Sequence, residues 1–153
     1  MPDTLRQASA AVRASVSPNE QVKVYARGQM TTLGKGWSFD IAESAMTGAE
    51  TLLGVLVSDV LGLFTRLARS ARVNVDEVEA TATVQLVDPL VHLGVIGSEG
   101  TPRYEAFILR AYLGTSASES AVRQLWEETL RRAPLYQTLH RAGLVEAHFQ
   151  LTA

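Results

Sequence analysis

Asp59 is the only charged side chain between Thr51 and Thr65, a run otherwise made of Leu, Val, Gly, Phe, Ser and Thr. A carboxylate in such surroundings must find a partner, reach water or stay protonated, because burying an unpaired charge costs several kcal/mol. Asp59 therefore marks either a solvated seam or a site, and a structural acid bonded to an arginine or a backbone amide competes with a functional one. The remaining chemistry is bounded by absence. The chain has no cysteine, which excludes a thiolate nucleophile, a disulfide and a sulfur-ligated metal. His92, His140 and His148 show no His-x-x-x-His or Glu-x-x-His spacing, so neither a metal nor any other cofactor is expected. The glycines from Gly94 to Gly100 lack the Lys-Ser/Thr of a phosphate loop.

Charge narrows the partners. A formal net charge of −2 gives no electrostatic case for nucleic acid. Arg66, Arg69 and Arg72 cluster at a helix end, where cations suit the helix dipole; a phosphate site is the alternative. The N-terminus has no apolar signal core. The run Thr51 to Thr65 is short for a bilayer span and carries Asp59, so no membrane association and a cytoplasmic location are expected.

The elements that must position these residues follow from periodicity. Asp3 to Ser15 reads as an amphipathic helix on Leu5, Ala8 and Val12, an N-terminal extension over 1–17 of a single domain over 1–153. Gln21 to Arg27 alternates as a half-buried strand, and two further extended pieces end near Ile41. Thr47 and Glu50 form a capping box that opens a helix from about Gly48 to Arg72, in which Gly54 and Gly62 are expected to permit close packing. Glu77 to Val87 puts Val78, Ala80, Ala82, Val84 and Leu86 on one face of a strand. Residues 89–102 read as a loop with a short extended piece, and Arg103 to Leu113 as another strand. Ser116 and Glu119 make a second capping box for a helix carrying Val122, Leu125, Trp126 and Leu130. Pro134 interrupts it, Gly143 caps its continuation, and Val145 to Leu151 closes the chain as a strand. Strand runs separated by two long helices indicate an α+β fold with a mainly antiparallel sheet.

Two segments at these helices resemble motifs of the OsmC/Ohr superfamily, whose members reduce organic hydroperoxides or share that fold. Gly48-Ala49-Glu50-Thr51-Leu52-Leu53-Gly54-Val55-Leu56-Val57-Ser58-Asp59 has the spacing of Pro-x-Glu-Leu-Leu-Leu-Ala-Ala-Leu-Gly-Ser-Cys. Ala133-Pro134-Leu135-Tyr136-Gln137-Thr138-Leu139 resembles Cys-Pro-Val-Ser-x-Thr-Leu, and the order of elements matches from about residue 20 to 152. The resemblance puts Asp59 where the family has its peroxidatic cysteine and Ala133 where it has the resolving one. The organising acid of the Ohr branch would fall on Ala49, which is no acid, whereas Glu50 matches an acid position of other branches; Arg27 is a candidate for the family arginine.

The family reaction needs a thiolate to attack the peroxide and a second thiol to close a disulfide, which Asp and Ala do not supply. The resemblance otherwise implies an OsmC-like fold with two central helices in an intertwined homodimer. Its small apolar interface pocket would then hold a small organic ligand. The candidate pocket residues are Glu50, Leu56, Asp59, Leu63, Ala133, Tyr136, Gln137 and His140, with no catalytic residue assigned. Two alternatives are an enzyme of another class, using Asp59 as general acid or base with His140, and a purely structural partner of another OsmC-like chain.

Overall fold

The computed structural model describes residues 6–152, which form two compact units divided between Thr51 and Leu52. The first unit is a three-stranded antiparallel sheet in the order β1-β2-β3: β1 (Arg13–Val16), β2 (Val22–Ala26) and β3 (Gln29–Leu33). Arg27 and Gly28, both at positive φ (51° and 77°), form the two-residue turn that joins β2 to β3. Such a turn matches the right-handed twist of the flanking strands. Arg27, the candidate family arginine, therefore stands at a hairpin tip.

The helix expected over Asp3–Ser15 is replaced from Arg13 onward by β1, with Arg13 opposite Tyr25 and its guanidinium 4.4 Å from that ring. Pairing with β2 supplies what local helix propensity does not. The start of that expected helix lies outside the described residues.

The second unit is the sheet β4-β5-β6, with helices on one face. β4 (Val75–Val87) and β5 (Arg103–Thr115) pair antiparallel, whereas β5 and β6 (Val145–Thr152) run parallel. A parallel pair needs a crossover connection, and α4 (Glu119–Arg132) with α5 (Pro134–Arg141) provides it. Every second residue of β5 is buried from Phe107 to Leu113, and the half-buried Val78, Ala80, Ala82 and Val84 of β4 pack on the same core. Trp126 of α4 joins that core, its ring edge-on to Phe64 at 6.0 Å and tilted against Phe149 at 5.5 Å.

The long helix runs from Gly48 to Ser70 in three pieces: α1 (Gly48–Val57), a π turn (Ser58–Gly62) and α2 (Leu63–Ser70). The expected capping box forms: the Thr47 N–H and hydroxyl donate to Glu50 Oε1 (3.1 and 2.8 Å), and the Glu50 N–H donates to Thr47 Oγ1 (3.1 Å). Leu56, Val60, Phe64 and Ala68 are buried and recur every fourth residue. At 3.6 residues per turn, such a stripe drifts about 40° at each step. The wider π turn takes up part of that drift.

Within the chain neither Gly54 nor Gly62 has a close neighbour, for a Cβ at either would meet nothing within 4 Å. The 23-residue helical run is also long and apolar enough to cross a membrane, longer than the Thr51–Thr65 stretch alone. Its buried stripe nevertheless belongs to the core of the second unit.

Two local readings shift, and a third holds. Residues 89–102 contain a short helix, α3 (Pro89–His92), in place of an extended piece. The cap of α4 is Ser118, whose Oγ accepts the Ala121 N–H at 3.2 Å, two residues beyond the expected Ser116. Thr115 Oγ1 accepts the Ala117 N–H and holds the strand end extended that far. Pro134 separates α4 from α5 as its ring geometry requires.

Candidate functional site

α5 begins with a deficit. Its capping position is Ala133, extended at φ −82° and ψ 111°, with no side-chain oxygen to accept an N–H of the first turn. Asp59, from the π turn, fills the gap: its Oδ2 accepts the Tyr136 N–H at 2.9 Å. The bond joins residues 77 positions apart in sequence and brings the two motif positions, Asp59 and Ala133, to one place. A carboxylate at a helix N-terminus gains from both the free N–H groups and the helix dipole. The π turn carries this acid, as such turns often do at functional positions.

Beside this contact opens a cleft of about 380 Å³ lined by Asp59, Gly62, Leu63, Arg66, Arg132 and Pro134. Gly62 leaves one wall open, and Leu63 and Pro134 give it an apolar flank. The lining is mixed in polarity. Arg132 has a distant ion pair with Glu128 (3.8 Å), but that carboxylate is held closer by Arg131, at 2.6 and 2.8 Å. Arg131 accordingly pulls the Glu128 carboxyl below its ordinary range. No ion pair forms at Arg66 among the described residues.

The other pocket candidates divide. Leu63 lines the cleft, whereas Leu56 and Ala133 are fully buried in the core of the second unit. Tyr136 is 8% exposed, and burial raises its phenol above the ordinary value of 10.0. The His140 ring stacks on Tyr136, 5.4 Å between centroids at 13°. His140 lies a full turn beyond Tyr136, ~6 Å along the helix, and makes no hydrogen bond to Asp59. Gln137 donates Nε2–H to the Leu130 carbonyl at 2.7 Å, tying α5 back to α4. Glu50 is committed to Thr47, whose backbone N–H foremost holds its carboxyl below the ordinary 4.5.

His148 faces Glu146 at 3.3 Å on β6, and His92 sits in α3. Among the described residues no group of three or more His, Asp or Glu could hold a metal ion. The sequence alone does not join Arg132, which is exposed and pairs with Glu128 four residues earlier, to Arg66, read there as a helix-end cation with a phosphate site as the alternative. The available signal was position: Arg132 is two residues before the Pro134 that starts α5, and Arg66 follows Asp59 by seven.

Comparison with known proteins gives the architecture a reference. No protein-family model matches the sequence, and no curated protein matches it. Solved structures do match. An OsmC-like protein from Mycoplasma pneumoniae superposes with a TM-score of 0.76 at 13% identity, covering 95% of this chain and 96% of that one. An organic hydroperoxide resistance protein from Legionella pneumophila gives 0.64 at 10% identity, over 96% and 100% of the two chains. A Vibrio cholerae protein of the same description gives 0.62 at 15% identity, over 95% and 93%. The fold of this chain is therefore that of the OsmC-like and organic hydroperoxide resistance proteins, built without a single cysteine.

Proposed function

We propose that the chain is a binding protein on the OsmC fold that holds a small amphipathic organic molecule beside Asp59 and does not reduce peroxides. The observation that carries this reading is the Asp59–Tyr136 contact at the mouth of an open cleft. A carboxylate committed to a helix N-terminus replaces the attacking thiolate, and Ala133 offers no second thiol. The cleft volume falls within the ~300–1,000 Å³ of small-ligand sites. The similar Vibrio cholerae structure holds a molecule of captopril in one of its active sites, so an organic molecule fits a site of that protein.

The working form in this reading is a cytoplasmic homodimer, with no nucleic acid or membrane as partner. A second copy would cover Val55, 51% exposed, and the adjoining open positions Gly54 and Ser58.

Native mass spectrometry of the purified full chain tests this reading, with an organic extract of the same sample and a peroxide-consumption assay beside it. The expected result is a dimer that binds small amphipathic acids or esters and leaves cumene hydroperoxide untouched in the presence of a dithiol. Protein-dependent peroxide consumption, or a failure to bind any of a panel of such molecules, would overturn it.

A further inference from the structure

Resting on the binding reading above, we infer that the ligand is a monoanion, a small organic carboxylate whose charged end is held by Arg66 and Arg132. The two guanidinium groups come from separate elements, α2 and the last turn of α4, and line the same cleft. Arg66 is left without a counter-charge among the described residues, and Arg132 shares its one partner, Glu128 at 3.8 Å, with Arg131. Arginine is the cation best matched to a planar oxyanion, because its N–H groups meet both oxygens at once.

Charge balance selects the ligand class. Two guanidinium groups and the Asp59 carboxylate leave the cleft with one net positive charge, which a monoanion neutralises. A phosphate dianion would overshoot that balance and leave the cleft with one net negative charge beside Asp59. The first-turn N–H of Tyr136 is already taken by Asp59, so the arginines remain as the donors for an incoming anion. Leu63, Pro134 and the open side of Gly62 then receive a hydrocarbon tail.

Titration calorimetry of the full chain with octanoate, octanol and inorganic phosphate tests the assignment. Octanoate is expected to bind at least tenfold more tightly than either of the other two and to weaken as salt is added. Arg66→Gln and Arg132→Gln should each reduce octanoate affinity about tenfold, with octanol unchanged. Arg66→Lys should retain part of it, and Glu128→Gln, which frees Arg132, should strengthen it. Both arginines are exposed at the surface, and the unfolding midpoint of each variant confirms an intact fold.

Equal binding of octanoate and octanol would overturn the monoanion inference and leave the binding reading standing. Tighter binding of phosphate than of octanoate would replace a carboxylate ligand by a phosphate one, and overturn the inference as stated. No binding of either octyl compound, with no ligand in the native spectrum, would overturn both readings together.

Discussion

Replacing Asp59 tests whether a side chain from the π turn caps α5. In Asp59→Ala the Tyr136 N–H loses its acceptor at a residue only 8% exposed. Losing a helix cap costs ~0.5–2 kcal/mol, and a buried donor left unpaired costs ~1–3 kcal/mol. Asp59 is itself only half-buried, so water recovers part of this, and about 1.5 kcal/mol is expected. For a chain of this length that lowers Tm by ~3–6 °C. Asp59→Asn keeps an acceptor and loses only the interaction of charge with the helix dipole, ~0.5 kcal/mol.

The decisive variant puts the cap back locally. Ala133→Ser offers Oγ at the capping position of α5, so it should recover ~1 kcal/mol in the Asp59→Ala background and almost nothing in the wild type. Urea midpoints read each of these proteins, and amide exchange at Tyr136 reports the bond directly. Equal losses for Asp59→Ala and Asp59→Asn, with no rescue by the added Ala133→Ser change, would refute the capping argument.

Three further outcomes follow from the packing and the loops. Phe64→Ala empties a fully buried ring site against Trp126; a loss of ~3–5 kcal/mol by denaturant unfolding is expected, and a loss under ~1 kcal/mol would contradict that core. Gly100 has φ +130°, and a Cβ there would collide with the Asp88 carboxylate; Gly100→Ala should cost ~1–3 kcal/mol and raise the exchange rate of the Thr101 amide that Asp88 accepts. Glu50 is depressed in the folded state, so its charged form stabilises above about pH 4.5 and that contribution is lost as pH falls through the lower folded value. Glu50→Gln should therefore shift the urea midpoint at about pH 7, by an amount that shrinks as pH falls below the ordinary carboxylate value.

Local chemistry wrote much of this fold visibly. The Thr47–Glu50 box, the alternation from Val78 to Leu86, the break at Pro134 and the turn at Gly143 (φ +71°) each follow from residues a few positions apart. What stayed hidden depends on partners far along the chain. Alternation reads the same for either strand direction, so the parallel pairing of β6 was not visible. Arg13–Val16 is a strand because β2 lies beside it. Asp59 was conspicuous by type, but its acceptor role depends on an amide 77 residues away, and only the fold brings Arg66 and Arg132 to one cleft.

The π turn makes chain length itself a control on the site. A wide turn is a helix holding one residue more than its faces need. Deleting Gly62 would leave Leu56 and Phe64 seven positions apart, two α turns, and so still on the core side. The core would survive such a loss, while the remaining residues 58–61 would swing to new bearings and Asp59 would no longer point at α5. A single-residue difference in length, with every contact-forming side chain retained, would thus separate a chain that folds from one that keeps its cleft.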